Sequence, residues 1–179
     1  RREFCVLPLM LAGCGMAEYD IQASPRLRTS KNVFSTGVEG LWTPAVTFAT
    51  VGDFAATPTL QLGVYRKEGA VVDVWFTYLI AAGLFTHTTA VGECRITGLP
   101  YVARDETNAN IQMVGTLQFE GITKANYTHF GVVSAENTSY MIVTASGSGQ
   151  AWASVNAANM PTGGNPRLIG WLRYLTTGS

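Results

Sequence analysis

Charge is what this 179-residue chain has least of. Asp, Glu, Lys and Arg together make up 13% of it, against 47% apolar residues, about half the charged share of an ordinary soluble domain. The twelve acidic and twelve basic residues cancel. The densest basic stretch, Arg26, Arg28 and Lys31, has no interleaved aromatics. A protein that tracks a phosphate backbone needs a continuous basic stripe, so nucleic acid is excluded as the main partner. A wetted, self-repelling surface normally carries more charge than this. Part of the surface is therefore expected to be buried against copies of the chain or neighbouring subunits.

Cysteine and histidine are nearly as scarce. Cys5, Cys14 and Cys94 form no CxxC and have no histidines beside them, which leaves a structural zinc site without ligands. Cys5 and Cys14 could pair across a short loop, or all three could stay reduced, as in a protein assembled in bacterial cytoplasm. His87 and His129, the only histidines, have no carboxylate in their local segments, so neither has a partner to orient it as a general base. No G-x-S-x-G, G-x-x-x-x-G-K-[ST] or G-x-G-x-x-G occurs. Ser146-Gly147-Ser148-Gly149 reads as a hairpin turn. Asp105-Glu106 is the only adjacent acid pair. It sits in a polar loop where solvation, rather than two-carboxylate hydrolysis or calcium binding with Asn108 and Asn110, is the expectation. The chain is expected to be no enzyme and to need no cofactor or metal.

What is present is strand-forming sequence. Runs of β-branched and aromatic residues between turn residues place strands near 43–50, 60–66, 70–80, 93–98, 111–120, 127–135, 139–146 and 167–176. The turn signals are Gly52-Asp53, Lys67-Glu68-Gly69, Gly92, Gly98-Leu99-Pro100, Glu136-Asn137 and Gly147 to Gly149. A helical turn or two is expected only within 151–159. Eight short strands at this spacing predict an all-β fold, an antiparallel β-sandwich or jelly roll. Val72, Val74, Phe76 and Tyr78 alternate onto one face and belong to the core. Trp75 points the other way, under a loop or at a subunit contact. Near the C-terminus Leu168, Leu172 and Tyr174 oppose Ile169, Trp171 and Leu175. A strand apolar on both faces is expected between its own core and a partner.

Three phrases recur in order: Gly40-Leu41-Trp42-Thr43-Pro44, then Gly63-Val64-Tyr65-Arg66-Lys67-Glu68-Gly69 with a turn at Arg66 to Gly69, then Ile96-Thr97-Gly98-Leu99-Pro100. This pattern resembles a β-sandwich module of bacteriophage virion proteins that often forms the distal domain of tail fibres and tailspikes. The resemblance covers residues of about 40 to 179. It implies a virion location on the particle surface, a homotrimer, and a tail-fibre or receptor-binding head that contacts the host surface. The small size, with no coiled coil or β-helical trunk, keeps a capsid cement or decoration protein as the alternative behind the fibre reading.

Residues 1 to 15 differ from the rest. Arg1-Arg2, the apolar run Phe4 to Leu11, and Leu11-Ala12-Gly13-Cys14 have the layout of a bacterial lipoprotein signal, although the run is too short to span a bilayer. A surface lipoprotein or lectin-like module follows if Cys14 is acylated. The preferred expectation is an attachment arm and linker over residues 1–38, ahead of a head domain over 39–179. Phe4, Val6, Leu7, Leu9 and Leu11 would then dock onto other virion proteins of the tail, baseplate or capsid. For a host glycan the chemistry on offer is Tyr101, Trp152, Asn156, Asn159 and Gln150, since rings stack on sugar faces and amides meet hydroxyls. Against that stands the plainer use of Trp152 as a sandwich cap and of the Asn residues as turn formers.

Overall fold

Trp42 sets the architecture. Its indole lies on the Cα of Gly63, where a Cβ would come within 2.3 Å of Nε1. Its N–H is shared between the carbonyls of Val64 (3.2 Å) and Trp75 (3.3 Å). Only glycine leaves room for a ring this close to a strand backbone. The computed structural model describes residues 37–105, 112–147 and 149–177, all within the unit Gly37–Ser179. The arm expected over Phe4, Val6, Leu7, Leu9 and Leu11, and Cys5 and Cys14, lie outside the described residues.

The described residues form ten strands: β1 (Val38–Trp42), β2 (Ala45–Thr50), β3 (Ala55–Glu68), β4 (Val71–Thr86), β5 (Val91–Thr97), β6 (Val114–Glu120), β7 (His129–Ser134), β8 (Tyr140–Gly147), β9 (Gln150–Ser154) and β10 (Arg167–Leu175). Every pairing is antiparallel, and the hydrogen bonds run through one sheet in the order β1-β3-β4-β10-β6-β7-β8-β5-β2, with β9 added on β8. The two ends of this path, β1 and β2, are separated in sequence by Thr43 and Pro44 alone. The sheet must therefore curl until its ends meet at that corner. The all-β antiparallel expectation holds, in the form of a single curled sheet.

The concave face holds the core. Val72, Val74, Phe76 and Tyr78 are buried as expected, as are Leu168, Leu172 and Tyr174. Val46, Phe48, Cys94, Ile96, Val132, Met141 and Val143 face them from the other half of the sheet. Burial pushes the Cys94 thiol up to about 12, so this cysteine packs as a small apolar group. At one end of the core Phe48, Phe54 and Phe85 meet edge to face, with centroids 4.9 to 6.3 Å apart.

Five details differ from the sequence reading, the first being that β3 and β4 run beyond the expected 60–66 and 70–80, to Ala55–Glu68 and Val71–Thr86. β1 and β9 lie outside the expected strand positions; each is only five residues long and has a single strand neighbour, β3 for β1 at the end of the path and β8 for β9 off it. The β3–β4 turn is Gly69-Ala70, with Glu68 paired to Val71 and Gly69 at φ 58°; Arg66 and Lys67 are still strand. Gly92 lies inside β5 at φ 84°, opposite the register shift at Phe48/Thr50, so it is a bulge. Of the helical turn or two expected within 151–159, one 3-10 turn forms, at Ala157–Asn159, while pairing with β8 holds Gln150–Ser154 extended.

Gly63→Ala should push the indole out of its seat and cost about 1–3 kcal/mol. Trp42→Leu should remove most of that penalty. A double-mutant cycle on denaturant midpoints is expected to give a coupling within the range of about 0.5–3 kcal/mol seen for contacting residues; additive effects would show that Trp42 does not depend on Gly63.

Candidate functional site: the convex sheet face

The side chains that alternate away from the core on β3, β4 and β10 form the most distinctive surface. Strand register aligns them in rows. Leu41, Val64, Trp75, Trp171 and Thr116 stand side by side across β1, β3, β4, β10 and β6. The next row is Leu62, Thr77, Ile169 and Gln118. Leu41 is 73% exposed, Leu62 47% and Trp75 42%. Such contiguous apolar exposure makes this face a candidate contact surface. Three shallow depressions, of about 520, 440 and 170 Å³, lie on this face, and Trp75 lines all of them.

Beside the apolar rows runs a charged one. Glu39, Arg66, Asp73 and Arg173 occupy successive strands, alternating in sign. Arg173 donates to both oxygens of Asp73, at 2.8 and 2.9 Å. Arg66 pairs with Glu68 and reaches Glu39 at 3.9 Å. Beyond them Val71 and Leu175 complete the face. Trp75, Ile169, Trp171 and Leu175, expected at an oligomer contact, thus share one side of the sheet. Leu41, Leu62, Val64 and the charged row escaped the sequence reading. The period-2 series Leu60, Leu62, Val64, Arg66 was the available signal.

The glycan candidates separate into two groups. Tyr101 follows β5, next to the Tyr140 end of β8; Gln150 pairs with Gly147 at the other end. Seven residue steps of strand, about 20 Å or more, separate these ends. Tyr101 is engaged in packing. Its ring meets Tyr65 at 5.7 Å, Lys67 Nζ stands 5.4 Å over it, and the Tyr174 hydroxyl donates to its carbonyl at 3.0 Å. A side-chain hydrogen bond with Tyr65, with burial behind it, raises the Tyr101 pKa.

The second group keeps company. Trp152 is 58% exposed on β9, and Gln150 lies on the same side of that strand. Tyr127 donates to the Ala151 carbonyl at 3.1 Å, and Lys124 sits 5.2 Å over the Tyr127 ring. Lys124 also donates to Asn159 Oδ1 at 3.3 Å, the atom that accepts from the Asn156 N–H at 2.9 Å. Asn156 and Asn159 therefore cap the 3-10 turn, the role anticipated as the alternative to sugar contact. Lys124 and Tyr127 are neighbours that the sequence did not signal.

Among the described residues, no group of three or more His, Cys, Asp or Glu is placed to hold a metal ion. His87 packs against Phe48 and Phe85, while His129 sits exposed beside the Thr128 hydroxyl. Asp105 accepts from Asn137; Glu106, Asn108 and Asn110 lie outside the described residues. No described helix is long and apolar enough to cross a membrane. The most perturbed carboxylate, Asp53, is a loop clamp. It accepts from the Thr88 and Thr89 side chains and N–H groups, and these bonds hold it well below the usual carboxylate range.

With its folded pKa depressed, Asp53 contributes stability above the unfolded value of about 3.9, and loses it as pH falls through the folded one. Asp53→Asn should therefore lower Tm at pH 7 and bring wild type and variant together in strong acid. A Tm difference that persists at the lowest pH would show that the clamp does not depend on charge.

No protein-family model and no curated protein matches the chain. Among solved structures, the crystal structure of Dettilon tailspike protein (gp208) is similar, with a TM-score of 0.54 and 15% identity. The match covers 78% of this chain and 24% of that one, so the chain spans about a quarter of the tailspike's length. At this identity the likeness is one of fold.

Proposed function

We propose that this chain is a bacteriophage virion protein of the tail: a non-enzymatic, trimeric, sandwich-like β-head that contacts the host surface and is fixed to the particle by residues 1–38. The observation that carries the reading is the fold shared with a phage tailspike over most of the chain. The order Gly40 to Pro44, Gly63 to Gly69 and Ile96 to Pro100 agrees with it, because those phrases build the corner that closes this fold.

Receptor binding is assigned to the β9 end. An exposed indole beside an amide, a phenol and an ammonium group offers a stacking platform flanked by hydrogen-bond donors, the chemistry that a host polysaccharide fits. Tyr101, locked between Tyr65 and Tyr174, has no share in that site.

Labelled antibody and electron microscopy on assembled particles test the location. Label at the tail tip or baseplate is expected; label over the capsid would make this a decoration protein and end the receptor-binding reading. For the glycan, Trp152→Ala should abolish retention on host-surface polysaccharide while Tyr101→Phe leaves it unchanged. Equal loss in both would refute the assignment to β9.

A further inference from the structure

We infer that the convex face of β1, β3, β4, β10 and β6 is where copies of this chain meet, around a symmetry axis parallel to these strands, with Glu39 of one copy facing Arg173 of the next and Arg66 facing Asp73. The inference deepens the oligomeric part of the reading above and rests on it. The occupant follows from the charged row. From β1 to β10 its signs are minus, plus, minus, plus, so each charge has its opposite at the mirror position about the row's midpoint. Two such faces that meet across an axis along the strands bring the left half of one row onto the right half of the other. Every position then faces its opposite, for a two-fold and a three-fold axis alike. An in-plane axis across the strands would instead set Glu39 on Glu39 and Arg173 on Arg173. The row is self-complementary in one orientation and self-repelling in the other, which specifies both partner and register.

The neighbouring rows supply what such a contact buries. Leu41, Val64, Trp75 and Trp171 stand in line, with Leu62 and Ile169 behind them. A core of Trp and aliphatic residues rimmed by paired charges is the usual anatomy of a stable interface. The flanking charges reach the surface: the Glu39 side chain is 73% exposed and that of Arg173 60%, the latter while already paired with Asp73 of its own chain. Glu39 has only a loose contact at 3.9 Å within its own chain.

Glu39 and Arg173 lie three strand spacings apart in one copy, about 14 Å, beyond the screening length at ordinary salt. The two therefore do not pair with each other within one copy, and because each swap also breaks a contact inside its own chain, with Arg66 or with Asp73, the double variant is compared with the two single variants for rescue. The experiment is sedimentation equilibrium of the full chain at about 0.1 M salt, with circular dichroism as the folding control. Wild type should associate. Glu39→Arg and Arg173→Glu should each weaken association on the order of tenfold by setting like charges face to face. The double variant, Glu39→Arg with Arg173→Glu, should recover wild-type affinity. Trp75→Ser, which removes the central apolar contact, should give a folded monomer. A monomeric wild type overturns the inference, as does an oligomer that survives Trp75→Ser. Single losses that add in the double variant without recovery overturn the pairing and its axis. Particle labelling away from the tail would leave these results standing, and a monomeric wild type would leave tail labelling standing, so the two readings fail separately.

Discussion

The fold depends on closing a ten-strand sheet at one corner, and a single contact governs that closure. Trp42 ends β1 with its indole pressed on Gly63, and Thr43 and Pro44 then carry the chain directly into β2, at the opposite end of the hydrogen-bonded order. Two further contacts hold the corner. Gln61 donates to the Pro44 carbonyl at 2.7 Å. Gly98, at φ 90°, brings its Cα so near the Thr43 carbonyl that a Cβ would sit 2.4 Å from the oxygen. Trp42, Gly63 and Gly98 come from three separate segments and meet in one place. If the corner opened, the aromatic and aliphatic groups facing across the curl would be exposed to water from both halves of the sheet.

That account gives the sequence pattern a physical meaning. The ordered phrases are spaced far apart because each supplies one wall of the corner, and their glycines mark where a ring or a backbone approaches too closely for a side chain. A pattern of this kind reports fold. It says nothing of receptor or reaction, and the tailspike likeness, at 15% identity, has the same scope. Function has to be argued from surfaces that the closure leaves free, which are the convex face and the β9 end.

Much of the fold was legible in the sequence, for reasons that differ by element. Strands such as 71–80 and 167–175 announce themselves by alternation, because one face is buried, whereas the continuation of β4 over 81–86 went unread because residues 81–84 are all exposed. β1 and β9 were illegible because each is short and carries mostly exposed residues, so alternation is weak where the pairing is one-sided. Asn156 and Asn159 could be read as sugar ligands or as turn formers, and the hydrogen bond from the Asn156 N–H to Asn159 Oδ1 shows the turn-forming use. The charged row could not be read at all. Glu39, Arg66, Asp73 and Arg173 span most of the chain, and nothing local aligns them; strand order and register do.

The low charge content now has a location. A sheet curled around one core needs only its concave side apolar, and its convex side is free to be polar, as in β6, where Thr116 and Gln118 face outward. On β3, β4 and β10 the convex side instead carries Leu62, Val64, Trp75, Ile169 and Trp171. Cross-strand pairs such as Trp75 with Trp171 stabilise the sheet of a single copy only modestly, and a large apolar patch carries an aggregation hazard. The placement of these side chains in register, next to four charges that alternate strand by strand, is what a specific contact requires and a random one does not. Apolar rows alone would bind any greasy surface in any orientation. The charged row adds a penalty for the wrong orientation, and that penalty turns a sticky face into a selective one.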